Sequence, residues 1–468
     1  MNPSVAPTPA QGAAKTRPGL GSEPSTAPPA PAPAPAPALP ANWKANMALI
    51  WSGQAVSFLT TYAASFAAMW HIAATTGSAL WLAWAGVAAL APTALLSPIG
   101  GLAADRFDRK RQMITADAVV GALSLGLAAA VHWSDAPMGV LLVFLAARGA
   151  AQAFHSPAMS AALPALAPES QLVRVNALSQ SLVGLAGIVG PALGILLYQA
   201  VGFAGVLLGD ALGAGMACLT LARARVPRSG ERRPASPGRE FADGLRALAA
   251  DRPLAALVGF CGLVMLIATP AGSLFPLMVY QVFDGGGYHA SLVEALWSLG
   301  AIVGSVALAA GGGGKRPVRL AVVATIVLGG AQAVCGLLHG SQFVLFSVLT
   351  SVMAVAIGLF SAPIAATMQR RVAPELLGRV TGLFQTVITL AAPLGLVFAG
   401  FGADRIGLGA WLFVSGLAVV AVALAALLWP RLRSLDDSSD SVADDPPPGS
   451  PTAPSEGKPQ PSGSPRRT

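Results

Sequence analysis

The chain has 468 residues, of which 54% are hydrophobic and only 11% charged, and its mean hydropathy is +0.64. Soluble domains carry about 25% charged residues, so this composition excludes a water-soluble globular protein. A net charge of +8 would favour nucleic-acid binding in a soluble chain, but here the positions of the charges decide their meaning. We therefore expect an integral membrane protein whose partner is the lipid bilayer and which binds no nucleic acid.

The two ends of the chain differ from the rest in composition. Residues 1–41 are rich in Pro and Ala, which predicts a disordered tail without the apolar core of a signal peptide. Residues 434–468 are rich in Ser, Pro and Asp and predict a second disordered tail. Between the tails we expect a helical bundle at 42–222, a cytoplasmic linker at 223–253 and a second bundle at 254–433.

The part between the tails contains twelve apolar stretches, each close to the roughly 20 residues that cross a bilayer as a helix. They lie at 46–70, 78–102, 112–132, 137–162, 177–200, 202–222, 254–280, 290–311, 317–338, 342–367, 378–402 and 408–430. Lys and Arg concentrate in every second loop, which predicts a multi-pass protein of the cell (inner) membrane with both termini in the cytoplasm.

The linker between the sixth and seventh spans has its own pattern. Phe241, Leu245 and Leu248 recur at helical spacing among charged residues. This predicts a short amphipathic helix at the membrane surface.

The two halves resemble each other in sequence. The segment RVNALSQ at 174–180 precedes the fifth span, and RVTGLFQ at 379–385 precedes the eleventh, about 205 residues later. Spans 5 and 11 run in the same direction, so the halves are parallel repeats related by an axis along the membrane normal. Transporters built this way place the substrate between the repeats, near the midplane.

The loop between spans 2 and 3 has the sequence GLAADRFDRKR. It resembles the signature loop of the major facilitator superfamily, G-x-x-x-D-R-x-G-R-K/R. The matching positions are Gly101, Asp105, Arg106, Arg109 and Lys110. Asp108 stands where the family has glycine, and the run DRFDRKR is similar to the drug:proton antiporter branch with macrolide-efflux and enterobactin-export proteins.

The resemblance implies an all-α integral membrane protein of the major facilitator fold, with 12 transmembrane helices in two six-helix parallel repeats. It also implies a monomer, and a cytoplasmic gate at the signature loop that stabilises the outward-facing state. The chemistry of the loop agrees, because an acid at a helix end can cap a neighbouring helix and Arg109 can hold that acid. The alternative is a basic loop that only sets topology.

Span 4 carries Arg148, Gln152 and His155 at spacings that place all three on one helix face. A charge at this depth is costly and is expected to face a cavity or a partner. Arg148 resembles the arginine of the family's fourth-span motif, R-x-x-Q-G, which is linked to proton coupling, although Gln152 lies one residue late. We expect a role in coupling or substrate contact. The alternative is an Arg148 tied to backbone carbonyls or to a buried acid.

Span 1 carries a similar polar stripe, formed by Gln54, Ser57, Thr61 and Ser65. The family resemblance implies that spans 1 and 4 line the central cavity, while contacts between helices are the alternative. Asp210, midway along span 6, is a candidate proton carrier or the ion partner of Arg148. Glu294, near the outer start of span 8, is interpreted as a solvated acid, with a functional role as the alternative.

Span 5 carries a run of small residues around a proline: Gly187, Gly190, Pro191 and Gly194. It is similar to the antiporter motif of drug exporters, G-x-x-x-G-P-x-x-G-G. Small residues allow close approach of helix backbones, so helix packing alone is the alternative. The resemblance favours export over uptake.

The sequence lacks several motifs that are typical of enzymes and of ATP-driven proteins. No P-loop, H-E-x-x-H or G-x-S-x-G pattern occurs, and Cys218, Cys261 and Cys335 lie far apart. We expect no catalytic residue, no metal, no cofactor and no disulfide.

The functional prediction is secondary active transport, with protons driving export of small amphiphilic drugs or hydrophobic metabolites by alternating access. The alternatives are a narrow exporter of a siderophore or another metabolite, uptake or lipid flipping on the same fold, and a non-transporting membrane protein or membrane enzyme.

Overall fold

The computed structural model describes residues 42–133, 136–226, 237–311 and 316–443. Within these ranges the regular structure is entirely helical, with two short 3-10 turns at Glu169–Gln171 and Gly340–Gln342. The helices are α1 (Trp43–Thr76), α2 (Ala79–Arg106), α3 (Arg109–Trp133), α4 (Met138–Leu166), α5 (Leu172–Arg223), α6 (Pro237–Ala250), α7 (Arg252–Gln281), α8 (Gly287–Gly311), α9 (Pro317–Cys335), α10 (Phe343–Arg371), α11 (Pro374–Ile406), α12 (Leu408–Leu428) and α13 (Pro430–Ala443).

Ten of the described helices are long and apolar enough to cross a membrane, namely α2 to α5 and α7 to α12. One of them, α5, has 52 residues and is interrupted at Gly202, whose φ of 73° and ψ of 173° are not helical. The interruption falls at the first residue of the predicted span 202–222, next to its boundary with the span 177–200. Helix α1 has 34 residues but is not among the ten, because polar residues such as Gln54 and Thr61 lower its hydropathy.

The two halves share one pattern of helix pairing. In the N-terminal half, α1 packs on α5, α2 on α4, and α3 on α5. In the C-terminal half, α7 packs on α11, α8 on α10, and α9 on α12. Each pair in the first set has its counterpart in the second, as a repeat of one six-helix unit requires. The signature loop lies at one end of the helical bundle, here named the basic end. The other end of the bundle is the opposite end.

Helix α6 occupies the place of the predicted amphipathic helix in the linker. Leu248 is half-buried and packs against the apolar core, whereas Leu245 is exposed. The side chain of Phe241 and residues 227–236 lie outside the described residues, as does the predicted tail at 1–41.

The prediction of a disordered tail from residue 434 is wrong at its beginning. Helix α13 continues to Ala443, and Leu435 and Asp436 are buried. Asp436 is held because its carboxylate accepts hydrogen bonds from the backbone N–H groups of Val318 and Arg319, both at 2.9 Å, where α9 begins. The remainder of that predicted tail, 444–468, lies outside the described residues.

Candidate functional site: buried charges between α1, α3, α4 and α5

Arg148 on α4 and Asp210 in the second part of α5 form an ion pair inside the N-terminal half. The two side chains are 5% and 0% exposed. Asp210 also accepts hydrogen bonds from Ser124 Oγ at 2.5 Å and Thr61 Oγ1 at 3.1 Å. The second guanidinium nitrogen of Arg148 donates to the carbonyl of Thr61 at 2.9 Å. Buried ions of this kind are tolerated only when such extra hydrogen bonds complete their shells.

A second buried cluster lies around Asp117, which the sequence analysis did not single out. Asp117 on α3 accepts a hydrogen bond from Gln54 Nε2 at 3.0 Å, and its other oxygen lies 3.5 Å from His155 Nε2. All three side chains are buried. Ser124 of the first cluster is seven residues further along α3, so the clusters are separated by about 10 Å along that helix. An ionisable residue in the middle of an apolar span was the signal that identified Asp210, and it applies equally to Asp117.

The structure separates the polar residues of the two predicted stripes, one on α1 and one on α4. Gln54, Ser57 and His155 are at most 4% exposed and lie within the helix packing of the N-terminal half. Gln152 is half-buried, and its side-chain amide donates to Ser156 Oγ at 2.8 Å instead of joining Arg148. Gln54 and His155 lie inside because both contact the buried carboxylate of Asp117.

The glycine run of α5 packs against α1. A Cβ added at Gly194 would overlap the backbone of Ala63, within 2.7 Å of its Cα, and one at Gly190 would overlap Tyr62. Gly187 is less restricted, since its added Cβ would meet Tyr62 only at 3.7 Å. This close approach packs the first part of α5 against the middle of α1. The contacts of the small residues around Pro191 therefore agree with the helix-packing alternative.

The signature loop is fastened to its own half by its basic residues. Arg109 is buried and donates to the carbonyls of Ala104 at 3.0 Å and Ala161 at 2.6 Å. Lys110 donates at 2.8 Å to the carbonyls of Ala222 and Ala224, where α5 ends. These bonds tie α2, α3, α4 and α5 together at the basic end.

The acidic residues of the loop behave differently from the expectation. Asp105 is 55% exposed and lies 4.0 Å from Arg109, and among the described contacts it caps no neighbouring helix. Arg106 is exposed, and no described atom lies within 4 Å of a Cβ added at Gly101. Asp108, which replaces the family glycine, accepts from the N–H of Arg111 at 3.2 Å and caps α3. In this conformation the predicted gate contact of Asp105 is therefore not made.

A carboxylate does cap a helix of the other half, but at the opposite end. Asp404 on α11 accepts hydrogen bonds from the N–H of Leu80 at 3.3 Å and from Ser78 Oγ at 3.4 Å, where α2 begins. One turn away, a Cβ added at Gly400 would lie 2.6 Å from Ala83 Cβ. The sequence signal was present: Gly400, Asp404, Arg405 and Gly407 repeat the spacing G-x-x-x-D-R-x-G of the signature loop.

Glu294 is not the solvated acid that the sequence suggested, because it is only 7% exposed. It lies on α8 between the buried Ser291 and Ser298, and Ser298 Oγ donates to the carbonyl of Ile188 on α5 at 3.1 Å. Glu294 thus occupies a helix face that contacts the other half. The depth of a residue near a span's end depends on its neighbours, which the sequence does not supply.

The chain matches the family model described as Major Facilitator Superfamily over residues 50–396. It belongs to the major facilitator superfamily. This membership makes the protein a membrane transporter and not an enzyme, and it agrees with the resemblance of the signature loop. Among the described residues there is no group of His, Cys, Asp and Glu that could hold a metal ion, and the three cysteines are unpaired.

Curated relatives of this transporter include efflux proteins. It is 33% identical over 398 residues to Macrolide efflux protein A of Streptococcus pyogenes, covering 84% of this chain and 98% of that one. It is 29% identical over 397 residues to Multidrug efflux pump Tap of Mycobacterium tuberculosis, covering 81% and 91%. These relatives match the drug:proton antiporter branch that the run DRFDRKR indicated.

Solved structures agree on the fold. The nucleoside transporter NupG has a TM-score of 0.64 at 12% identity, covering 83% of this chain and 98% of that one. A POT family transporter in complex with 5-aminolevulinic acid has a TM-score of 0.65 at 11% identity, covering 82% and 95%. At these identities the likeness establishes the major facilitator fold and nothing about substrate.

Proposed function

We propose that this transporter exports amphiphilic drugs or hydrophobic metabolites across the inner membrane in exchange for protons. The relatives named for macrolide and multidrug efflux support the direction and the class of substrate. The observation that carries the proton coupling is the pair of buried clusters, Arg148 with Asp210 and Asp117 with His155. Ionisable groups are expensive inside a membrane and are kept there for function.

Transport would proceed by alternating access between the two halves. In the present conformation α2 and α11 are joined at the opposite end through Asp404, while Asp105 at the basic end is exposed. This arrangement corresponds to a state closed on the outside and open to the cytoplasm, with both termini cytoplasmic. Rocking the halves would release the cap at Asp404 and bring the basic ends of α2 and α11 together, where Asp105 could cap a helix of the other half.

The proposal includes twelve membrane passes in one monomeric chain. Helix α1 is long enough for a pass, and the interruption at Gly202 divides α5 into two. With these additions the ten candidate spans become twelve. Only an even number of passes leaves both termini on the same side as the basic loops.

The test is substrate movement in proteoliposomes that contain the purified chain. Ethidium or a radiolabelled macrolide would be followed with an imposed pH gradient, and again after an ionophore has collapsed it. Arg148→Ala and Asp105→Asn are compared with Asp284→Asn, a matched control at an exposed loop. We expect gradient-driven transport by the wild type and the control, and a fall of at least about tenfold in both other variants, equal to about 1.4 kcal/mol.

Transport that persists without a gradient would contradict proton coupling. Movement of neither probe would contradict a broad drug exporter and would favour a narrow metabolite exporter of the same fold.

A further inference from the structure

A cavity of about 510 Å³ lies at the basic end of the C-terminal half, far from the buried charges. It is formed where α9 begins, α12 ends and α13 follows. Its apolar wall includes Val322 and Leu427, and three arginines line it: Arg316, Arg319 and Arg433. We propose that this cavity binds the phosphate of an anionic lipid headgroup.

The cavity lies at the depth in the membrane where lipid headgroups are found. Helix α12 is apolar to Leu428 and is followed by Trp429, which is 43% exposed, and by the charged helix α13. Tryptophan at such a junction is typical of the boundary between hydrocarbon and water. A lipid whose phosphate lay among the arginines could keep its acyl chains against the exposed side chains of α12, such as Leu428.

The charge of the cavity is positive although an acid is part of its wall. Asp436 is engaged by the backbone N–H groups of Val318 and Arg319, so its carboxylate is directed at the start of α9. Arg433 donates from Nε to the carbonyl of Leu427, which fixes its guanidinium beside the cavity. Within the described residues, no hydrogen bond or ion pair engages the side chains of Arg316 and Arg319. Those two guanidinium groups are exposed and able to bind.

Arginine is suited to this ligand because its planar fork binds phosphate oxygens in bidentate fashion. Other arginines at this end of the protein are engaged differently: Arg109 is buried and donates to backbone carbonyls, and Arg371 pairs with Asp251. The three in question differ because they converge on one cavity with an apolar wall. Basic pockets between helices on the cytoplasmic side are a recurrent form of lipid-headgroup site.

The experiment counts lipids that remain bound to the purified full chain by native mass spectrometry. Detergent-solubilised protein is titrated with phosphatidylglycerol, phosphatidylcholine or inorganic phosphate. The variants are Arg316→Gln, Arg319→Gln and Arg433→Gln, singly and together. The control is a triple variant that removes the same charge at the basic end of the other half, at Arg111, Arg174 and Arg223.

We expect one tightly held phosphatidylglycerol in the wild type and the control. Each single variant should weaken its binding about fivefold and the triple variant roughly a hundredfold, since each basic residue contributes about this factor near a lipid surface. The single variants keep the test valid if the triple variant does not fold. Equal retention by the wild type and the variants would overturn the proposal. So would equal binding of phosphatidylcholine, or displacement of phosphatidylglycerol by inorganic phosphate at equal concentration, which would indicate a site for free phosphate.

Discussion

Variants of Arg148 and Asp210 can distinguish a structural role of their ion pair from a role in proton coupling. Asp210→Asn removes one charge and leaves the guanidinium of Arg148 buried, since that side chain is 5% exposed. Breaking a buried pair in this way costs about 3–5 kcal/mol, whereas replacing both charged groups is often close to neutral. We therefore expect Asp210→Asn to lower the free energy of unfolding by that amount. Combining it with Arg148→Met should restore most of the loss.

The hydroxyl groups around Asp210 can keep hydrogen-bond partners in the Asp210→Asn variant. The expected loss of stability therefore comes from the unpaired charge of Arg148. Thr61 donates to Oδ1 of the carboxylate and Ser124 to Oδ2. The amide oxygen of an asparagine can accept from one of these hydroxyls while its NH2 group donates to the other. The cycle of two single variants and the double variant would be measured by unfolding in mixed detergent micelles. An interaction energy below about 0.5 kcal/mol is what independent sites show. That value would refute the claim that the pair is a desolvated, coupled unit.

Transport measured on the same proteins distinguishes the two roles. If the pair only stabilises the bundle, the double variant should recover gradient-driven transport together with stability. If the pair takes part in coupling, the double variant should be as stable as the wild type and still fail to transport against a gradient. Full transport by a stable double variant would refute the coupling role of Arg148 and Asp210.

Three further outcomes follow from contacts outside the ion pair. Gly194→Ala should destabilise the protein by about 1–3 kcal/mol through overpacking against Ala63, whereas Gly184→Ala on the same helix, with open space around it, should not; equal unfolding free energies would contradict the close packing of α1 and α5. Asp404→Asn should raise the population of molecules open at the opposite end, measured by spin-label distances between α2 and α11; unchanged distance distributions would count against the cap as a closing contact. Glu294→Gln should slow proton-driven transport while leaving substrate binding intact; wild-type rates would exclude Glu294 from coupling.

Much of the fold could be predicted because each helix that crosses a bilayer needs about 20 apolar residues. Length, hydropathy and the alternation of basic loops placed the boundary between two spans near residue 201, and the helix is interrupted at Gly202. The pairing of Arg148 with Asp210 was one of the alternatives that the sequence left open, because each charge needs a partner at that depth. Partners of this kind are recognisable since both members carry charge.

Two of the residues that sequence reasoning missed have partners that the sequence does not reveal. Asp404 and Asp436 each accept hydrogen bonds from backbone N–H groups where a distant helix begins. Any residue type except proline can supply such a donor, so no pattern at the partner position indicates the contact. Asp436 also lay in a segment whose Ser and Asp content is typical of disorder. Only the folded arrangement of α9 and α13 identifies it as a cap.

The distribution of strong and weak contacts agrees with two halves that move as units. The buried pair of Arg148 and Asp210 lies wholly within the N-terminal half, and losing one partner would cost about 3–5 kcal/mol. The cap from Asp404 to α2 joins the halves at an exposed position, where a charge at a helix terminus is worth only about 0.3–1 kcal/mol. A contact of that size is weak enough to break and reform during the alternating access proposed above. Rocking of the halves would not by itself require the charges buried within the N-terminal half to separate.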